Sequence, residues 1–141
     1  MFSKIASQLC TRAEWLLAGR FDAILADHRF PLPVDFGASR LVVRTADEGR
    51  MLLSHLRATY AGHGVRTLMP TITALDLPRG GRFRIWADWH GTTREGSPVH
   101  LASVIYYCRQ VPGGLRIEMV DCTRLLIRDL HPELVALALS A

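Results

Sequence analysis

Apolar residues recur at helical spacing in the first third of the chain and at every second position from about Val65 onward. The first pattern predicts a helix from Ser3 to about Ala18, ended by Gly19, and a shorter helix from Phe21 to His28. The second pattern predicts β-strands. We therefore expect the helices to come first and a sheet to follow.

Two prolines end the helical pattern of the N-terminal segment. Pro31 and Pro33 exclude a longer second helix, so residues 29–35 are predicted to form an extended loop. The brief apolar segment 41–44 that follows is predicted to be a short strand.

A capping box at residues 45–48 predicts the start of a third helix, because the Thr45 hydroxyl and the Glu48 carboxylate can each accept from a free backbone amide. This helix is expected to end at Gly62 or Gly64. Its predicted inward stripe is Met51, Leu52, Leu56 and Tyr60.

Three turns rich in glycine and proline divide the rest of the chain into a predicted four-stranded antiparallel meander. The predicted strands are 65–77, 82–91, 98–111 and 115–127. Pro70 indicates a bulge or an edge in the first of them. Residues 132–141 are predicted to add one or two helical turns.

This order of elements predicts a single α+β domain over residues 1–141, with three helices packed on a curved sheet of one short strand plus the meander. The composition, 49% apolar and 21% charged, is that of an ordinary globular domain. No apolar run is long enough for a membrane span, so no membrane partner is expected.

Three sequence segments occur in the same order as in a known superfamily: His28–Pro33, Arg84–Trp89 and Gly113–Ile117. In this order of elements the chain resembles the nuclear transport factor 2-like superfamily, although Leu115 replaces its usual aromatic residue. Members include polyketide-cyclase-like and ketosteroid-isomerase-like proteins. The resemblance implies a cystatin-like cone, an apolar pocket, no cofactor and a dimer through the outer face of the sheet.

The net charge of +4 comes almost entirely from arginine, since Lys4 is the one lysine. The basic residues are scattered, which favours a solvated surface over a nucleic-acid site. The preference for arginine is typical of a GC-rich bacterial genome. Three cysteines without C-x-x-C spacing indicate a reducing compartment, and with no apolar leader segment we expect a cytoplasmic protein.

The turns predict that Tyr107 pairs with Met119, Ile105 with Asp121 and Ser103 with Thr123. This pairing predicts which side chains face the helices. The predicted inner face is Phe83, Ile85, Ala87, Trp89, Leu101, Ser103, Ile105, Tyr107, Leu115, Ile117, Met119, Asp121 and Thr123. The predicted outer face carries an apolar patch of Trp86, Ala102, Val104, Tyr106, Val120 and Cys122, through which we expect a homodimer. A slip of one residue would invert every assignment.

Asp121 is the one carboxylate predicted in the centre of the inner face, where it is expected to act as a catalytic acid or base with Tyr107 and Ser103 as hydrogen-bond donors. The alternative is an ion pair with an arginine such as Arg29. His28 is expected near the mouth of the pocket, either as a base or as a helix cap. The residues predicted to line the pocket and contact a ligand are Trp89, Ser103, Tyr60 and Phe30.

His90 and His100 are predicted to face each other across a hairpin, with Asp88 on the same side. Two imidazoles and a carboxylate can hold a metal ion. Because no fourth ligand is evident and the strand ends are exposed, we expect surface histidines and no metal site.

These patterns predict a small-molecule-binding protein with a cone-shaped pocket, and a cofactor-free isomerase, cyclase or dehydratase is one form of it. The alternative is a non-catalytic homodimeric interaction module. The sequence leaves open whether the protein is an enzyme, because a fold of this kind hosts many activities.

Overall fold

The computed structural model describes residues 2–37 and 39–126. The elements are α1 (Phe2–Ala18), α2 (Phe21–Leu25), β1 (Leu32–Asp35), β2 (Arg40–Val43), α3 (Ala46–Gly62), β3 (Val65–Leu75), β4 (Arg82–Thr93), β5 (Pro98–Val111) and β6 (Gly114–Leu125). The helical turns predicted at 132–141 lie outside the described residues. In the described part, no helix combines the length and apolarity needed to cross a membrane.

The six strands form one curved, mixed sheet in the order β2-β1-β6-β5-β4-β3. The predicted α+β class, with helices packed on this sheet, is confirmed. Strand β3 lies at the edge of the sheet, as Pro70 indicated, and two register shifts in β3 flank that proline.

Strand β1 corrects the predicted loop at 29–35. It pairs antiparallel with β2 and parallel with β6, where Val34 lies opposite Val120. Leu32 and Val34 are buried while the residues between and after them are half-buried, which is strand periodicity. The prolines that exclude a helix favour extended backbone, and extended backbone suits a strand equally well.

The helices bury one stripe each, largely as their periodicity predicts. In α1 the buried residues are Ile5, Leu9, Ala13 and Leu16. The Thr45 hydroxyl caps α3 by accepting from the Glu48 amide at 3.3 Å, and the Glu48 carboxylate accepts from the Arg44 amide at 2.7 Å. The inward assignment of Met51 was wrong, because its side chain is 62% exposed.

Register shifts in β5 and β6 overturn half of the predicted faces. The pairings Tyr107–Met119, Ile105–Asp121 and His90–His100 are as predicted. However, Leu101, Glu118 and Thr123 each lie at a shift in register where one strand carries an extra residue. Such a bulge changes the phase of the in–out alternation for the residues beyond it.

The inner face predicted for β4 is confirmed, because Phe83, Ile85 and Ala87 are buried. On β5 and β6 the residues beyond the bulges are inverted. Those that face the helices are Val104, Tyr106, Cys108, Val120 and Cys122. Five residues that were predicted to face inward alternate with these and lie on the outer face: Ser103, Ile105, Tyr107, Met119 and Asp121. Ser103 pairs with Arg124 rather than with the predicted Thr123.

Candidate ligand cavity

A cavity of about 210 Å³ lies between the helices and the inner face of the sheet. Most of its lining is aliphatic. Residues from the helices include Leu16, Ile24, Leu53 and Leu56, and residues from the strands include Val34, Val43, Val104 and Val120. Small side chains, Ala13 and Ala102, help to leave this space unfilled. The cavity is partly enclosed and its surface is mostly apolar.

Two aromatic side chains in the wall are joined to each other. The Trp89 indole Nε1 donates to the Tyr106 hydroxyl at 2.8 Å. Burial raises the pKa of Tyr106 above its usual range, and the hydrogen bond from Trp89 opposes this shift. Tyr106 is therefore a neutral phenol whose own proton can be donated to a ligand.

A second phenol, Tyr60 of α3, also lines the cavity and is 6% exposed. Burial raises its pKa above the usual range, so it too is neutral. Cys122 lies near it, and burial raises the pKa of that thiol to about 12. All three groups are uncharged at neutral pH.

His28 lines the cavity just after α2. Its Nδ1 lies 2.9 Å from the carbonyl oxygen of Ile24, which requires a proton on Nδ1 and leaves Nε2 as an acceptor. Burial lowers the pKa of His28 to about 4, and the positive charge of Arg12 acts in the same direction. The imidazole is thus neutral and has a fixed tautomer.

Backbone hydrogen bonds to β6 hold the segment that carries His28. The Ile117 amide donates to the carbonyl of Asp27 at 2.8 Å, and the Arg29 amide donates to the carbonyl of Ile117 at 2.9 Å. His28 itself forms a single parallel bridge with Ile117. This anchoring positions the ring at the wall even though α2 is only five residues long.

Arg12 brings a charge to the wall, and Asp27 balances it. Their side chains form an ion pair in which Arg12 is 10% exposed and Asp27 27% exposed. Arg12 also donates to the carbonyl of Gln8 at 2.9 Å. Its Nε, like one oxygen of Asp27, is buried without a hydrogen-bond partner among the described residues. Burial lowers the pKa of Arg12.

The structure brings together three of the predicted site residues, His28, Tyr60 and Trp89. Phe30 does not line the cavity and packs against the core cluster that includes Leu32. Phe36, six residues later, lines the cavity instead.

Asp121, Tyr107 and Ser103 do not line the cavity either, because the bulges turn them to the outer face. In the part of the chain that the structure describes, no carboxylate lines the cavity. The predicted carboxylate base therefore lies on the wrong side of the sheet for this pocket.

The predicted outer patch is also corrected. Val104, Tyr106, Val120 and Cys122 line the cavity and cannot form an outer surface. Of the predicted patch, Trp86 alternates to the outer face, where the Arg84 guanidinium lies 4.6 Å from the centre of its ring. Homodimerisation stays a prediction.

Sequence reasoning missed Arg12 and Tyr106. For Arg12 a signal was present, because the buried positions Ile5, Leu9 and Leu16 place residue 12 on the same stripe of α1. For Tyr106 no local signal existed, since its face depends on the bulge at Leu101.

No protein-family model matches the chain, and no curated protein matches it. Solved structures do match in fold. Aln2 from a Streptomyces species is 10% identical with a TM-score of 0.64, covering 96% of this chain and 93% of its own. An NTF-2-like protein of unknown function from Shewanella oneidensis MR-1 is 14% identical with a TM-score of 0.62, and the match covers 88% of this chain and 100% of that protein.

A domain of unknown function with a cystatin-like fold from Nostoc punctiforme is 12% identical with a TM-score of 0.62, covering 95% of this chain and 83% of its own. At these identities the likeness concerns the fold. The chain has the nuclear transport factor 2-like, cystatin-like fold that its order of elements resembles.

Proposed function

We propose that this protein binds a small, neutral, mostly apolar molecule carrying a hydroxyl or carbonyl oxygen, in the cavity between the helices and the sheet. The observation that carries the proposal is an aliphatic cavity of about 210 Å³ whose polar lining groups are a few uncharged donors and acceptors and one arginine, Arg12, whose charge is balanced by Asp27. Pockets of this kind are the usual form of a small-molecule site.

The volume limits the size of the ligand. An apolar cavity of about 150 Å³ can hold benzene. The larger cavity here suits a molecule of one or two rings. Burial of such a ligand against aliphatic walls supplies its affinity through the hydrophobic effect.

The polar groups define the chemistry of the ligand. Tyr60 and Tyr106 offer neutral hydroxyls, and Nε2 of His28 offers an acceptor. Arg12 and Asp27 neutralise each other, so a charged ligand would be desolvated without a counter-charge. An oxygen that accepts from a phenol or donates to the imidazole fits this lining.

Binding, rather than proton transfer by a carboxylate, is the function these groups support. Asp121 lies on the outer face, and a neutral His28 with a pKa of about 4 is a weak base at neutral pH. Of the predicted catalytic set, His28 alone lines the cavity.

The test uses 2-naphthol as probe and 2-naphthoate as its charged counterpart, titrated into the full chain by calorimetry. We expect 2-naphthol to bind and 2-naphthoate to bind more than about tenfold more weakly, about 1.4 kcal/mol. Absence of 2-naphthol binding, or equal binding of both probes, would overturn the proposal.

A matched pair of variants locates the binding. Val104→Phe fills the cavity, whereas Ile105→Phe places the same ring on the outer face of the same strand. We expect the first to abolish binding of 2-naphthol and the second to leave it unchanged. Val120→Phe and Met119→Phe repeat the comparison on β6, and circular dichroism verifies that each variant is folded.

A further inference from the structure

We propose that Asp88, His90 and His100 form a binding site for a divalent metal ion, Zn²⁺ first, on the face of the sheet opposite the cavity. The carboxylate oxygen and the ring nitrogens that these side chains offer all lie within 4.8 Å of one another. Each side chain is half-buried. This proposal is independent of the ligand cavity, because Trp89 between two of the residues faces the other way.

A bulge in β5 creates the convergence. His90 pairs with His100, whereas Trp89 pairs with Ala102, so Leu101 is the extra residue. The two imidazole rings stack with their centres 4.8 Å apart and their planes 30° from parallel. The bulge also places His100 and Ser103, three residues apart, on one face, which regular alternation would not allow.

Ser103 connects the carboxylate to the imidazole. Its hydroxyl donates to Asp88 Oδ1 at 2.7 Å and lies 3.2 Å from His100 Nε2. Asp88 Oδ1 is 3.8 Å from the same nitrogen. The hydroxyl proton is engaged with the carboxylate, so this arrangement orients Asp88 for a metal rather than activating Ser103 as a nucleophile.

The donor set determines the kind of ion. Two imidazole nitrogens and one carboxylate oxygen suit Zn²⁺ and the neighbouring ions Co²⁺ and Ni²⁺ better than Ca²⁺ or Mg²⁺. Tetrahedral Zn²⁺ places its ligand atoms about 3.4 Å apart, so the donor atoms, which now lie within 4.8 Å of one another, would approach the ion by side-chain rotation. His100 Nε2, now 3.2 Å from the Ala102 carbonyl oxygen, would turn to the ion as part of a neutral imidazole whose proton is on Nδ1. Water completes the coordination.

The test titrates ZnCl₂ into the chelator-treated full chain by calorimetry and follows CoCl₂ by its visible absorption. The Cys10→Ser background removes the exposed thiol, a competing ligand. We expect one ion per chain at the site, with coordinated Co²⁺ giving absorption bands of a nitrogen–oxygen set.

The variants His100→Ala and Asp88→Asn should each weaken Zn²⁺ binding by more than about tenfold. Asp88→Asn keeps an oxygen that accepts from Ser103, so it preserves the local hydrogen bond while removing the charge. His63→Ala, at an exposed histidine beyond α3, is the matched control and should bind as the parent does. Equal binding by the parent, His100→Ala and Asp88→Asn, or no binding by the parent, would overturn the proposal.

Discussion

The Trp89 indole donates a hydrogen bond of 2.8 Å to the Tyr106 hydroxyl, so β4 and β5 are joined by side chains inside the cavity as well as by their backbones. In the sheet Tyr106 pairs with Ile85, four residues before Trp89. The two aromatic side chains therefore reach toward each other along the inner face.

Tyr106→Phe should destabilise the protein by about 1–2 kcal/mol, because it leaves the buried indole N–H without its acceptor. Chemical unfolding followed by circular dichroism measures this. Tyr107→Phe, the neighbouring residue on the outer face, is the control and should change stability by less than about 0.5 kcal/mol. Equal losses in the two variants would contradict the importance of the Trp89–Tyr106 bond.

His28 should make stability depend on pH. Its pKa is about 4 in the folded protein, below the value of about 6.5 expected when unfolded. Between these values the unfolded chain binds the additional proton, so stability is full above about pH 6.5 and falls as the pH drops toward 4, by up to about 3 kcal/mol.

Unfolding of the parent and of His28→Gln at several pH values between 7.5 and 4 isolates this contribution, because the carboxylates titrate in both proteins. The difference in free energy of unfolding should shrink as the pH falls. His63→Gln, which removes an exposed histidine, should run parallel to the parent. A constant difference between the parent and His28→Gln would show that His28 is not buried in its neutral form.

Arg12 and Asp27 should behave as a half-buried pair. Arg12→Met removes the partner of a carboxylate that is 27% exposed and should cost about 2 kcal/mol, between the values for exposed and for fully buried pairs. Arg50→Met, at the more exposed cluster with Asp22 and Asp47, should cost less than about 1 kcal/mol. Thermal unfolding compares the variants.

The double variant Arg12→Met/Asp27→Asn tests whether the stability contributions of these two side chains are coupled. It removes both charges, so much of the stability lost in Arg12→Met should return. If the double variant is less stable than Arg12→Met by the full cost of a second independent substitution, the two side chains do not act as a pair.

Gly91 should tolerate no larger residue. A Cβ there would lie 2.5 Å from the Thr67 carbonyl oxygen, a backbone atom that cannot turn aside. Gly91→Ala should destabilise by about 2 kcal/mol through overpacking. At Gly62, at the end of α3, an added Cβ would meet no other part of the fold within 4 Å, so Gly62→Ala should instead stabilise by up to about 1 kcal/mol. Unfolding curves in denaturant distinguish these opposite signs.

The sequence by itself determined the three helices, the short strand β2, the four long strands and their order along the chain. Helical spacing located α1, the Thr45 cap located α3, and the glycines of the three turns, with positive φ at Gly81, Gly96 and Gly113, separated the long strands. These signals are local, since each depends on residues a few positions apart. The side-by-side order of the four long strands followed from them, because each hairpin turn places consecutive strands next to each other.

The tertiary structure alone decided which residues share the cavity. The bulges at Leu101 and Glu118 each insert one residue, and one residue is enough to turn the rest of a strand over. As a result, Asp121 lies on the outer face of the sheet and Tyr106 lines the cavity. Likewise, β1 is a strand because β2 and β6 complete its hydrogen bonds, and the β6 partner lies far away in the chain.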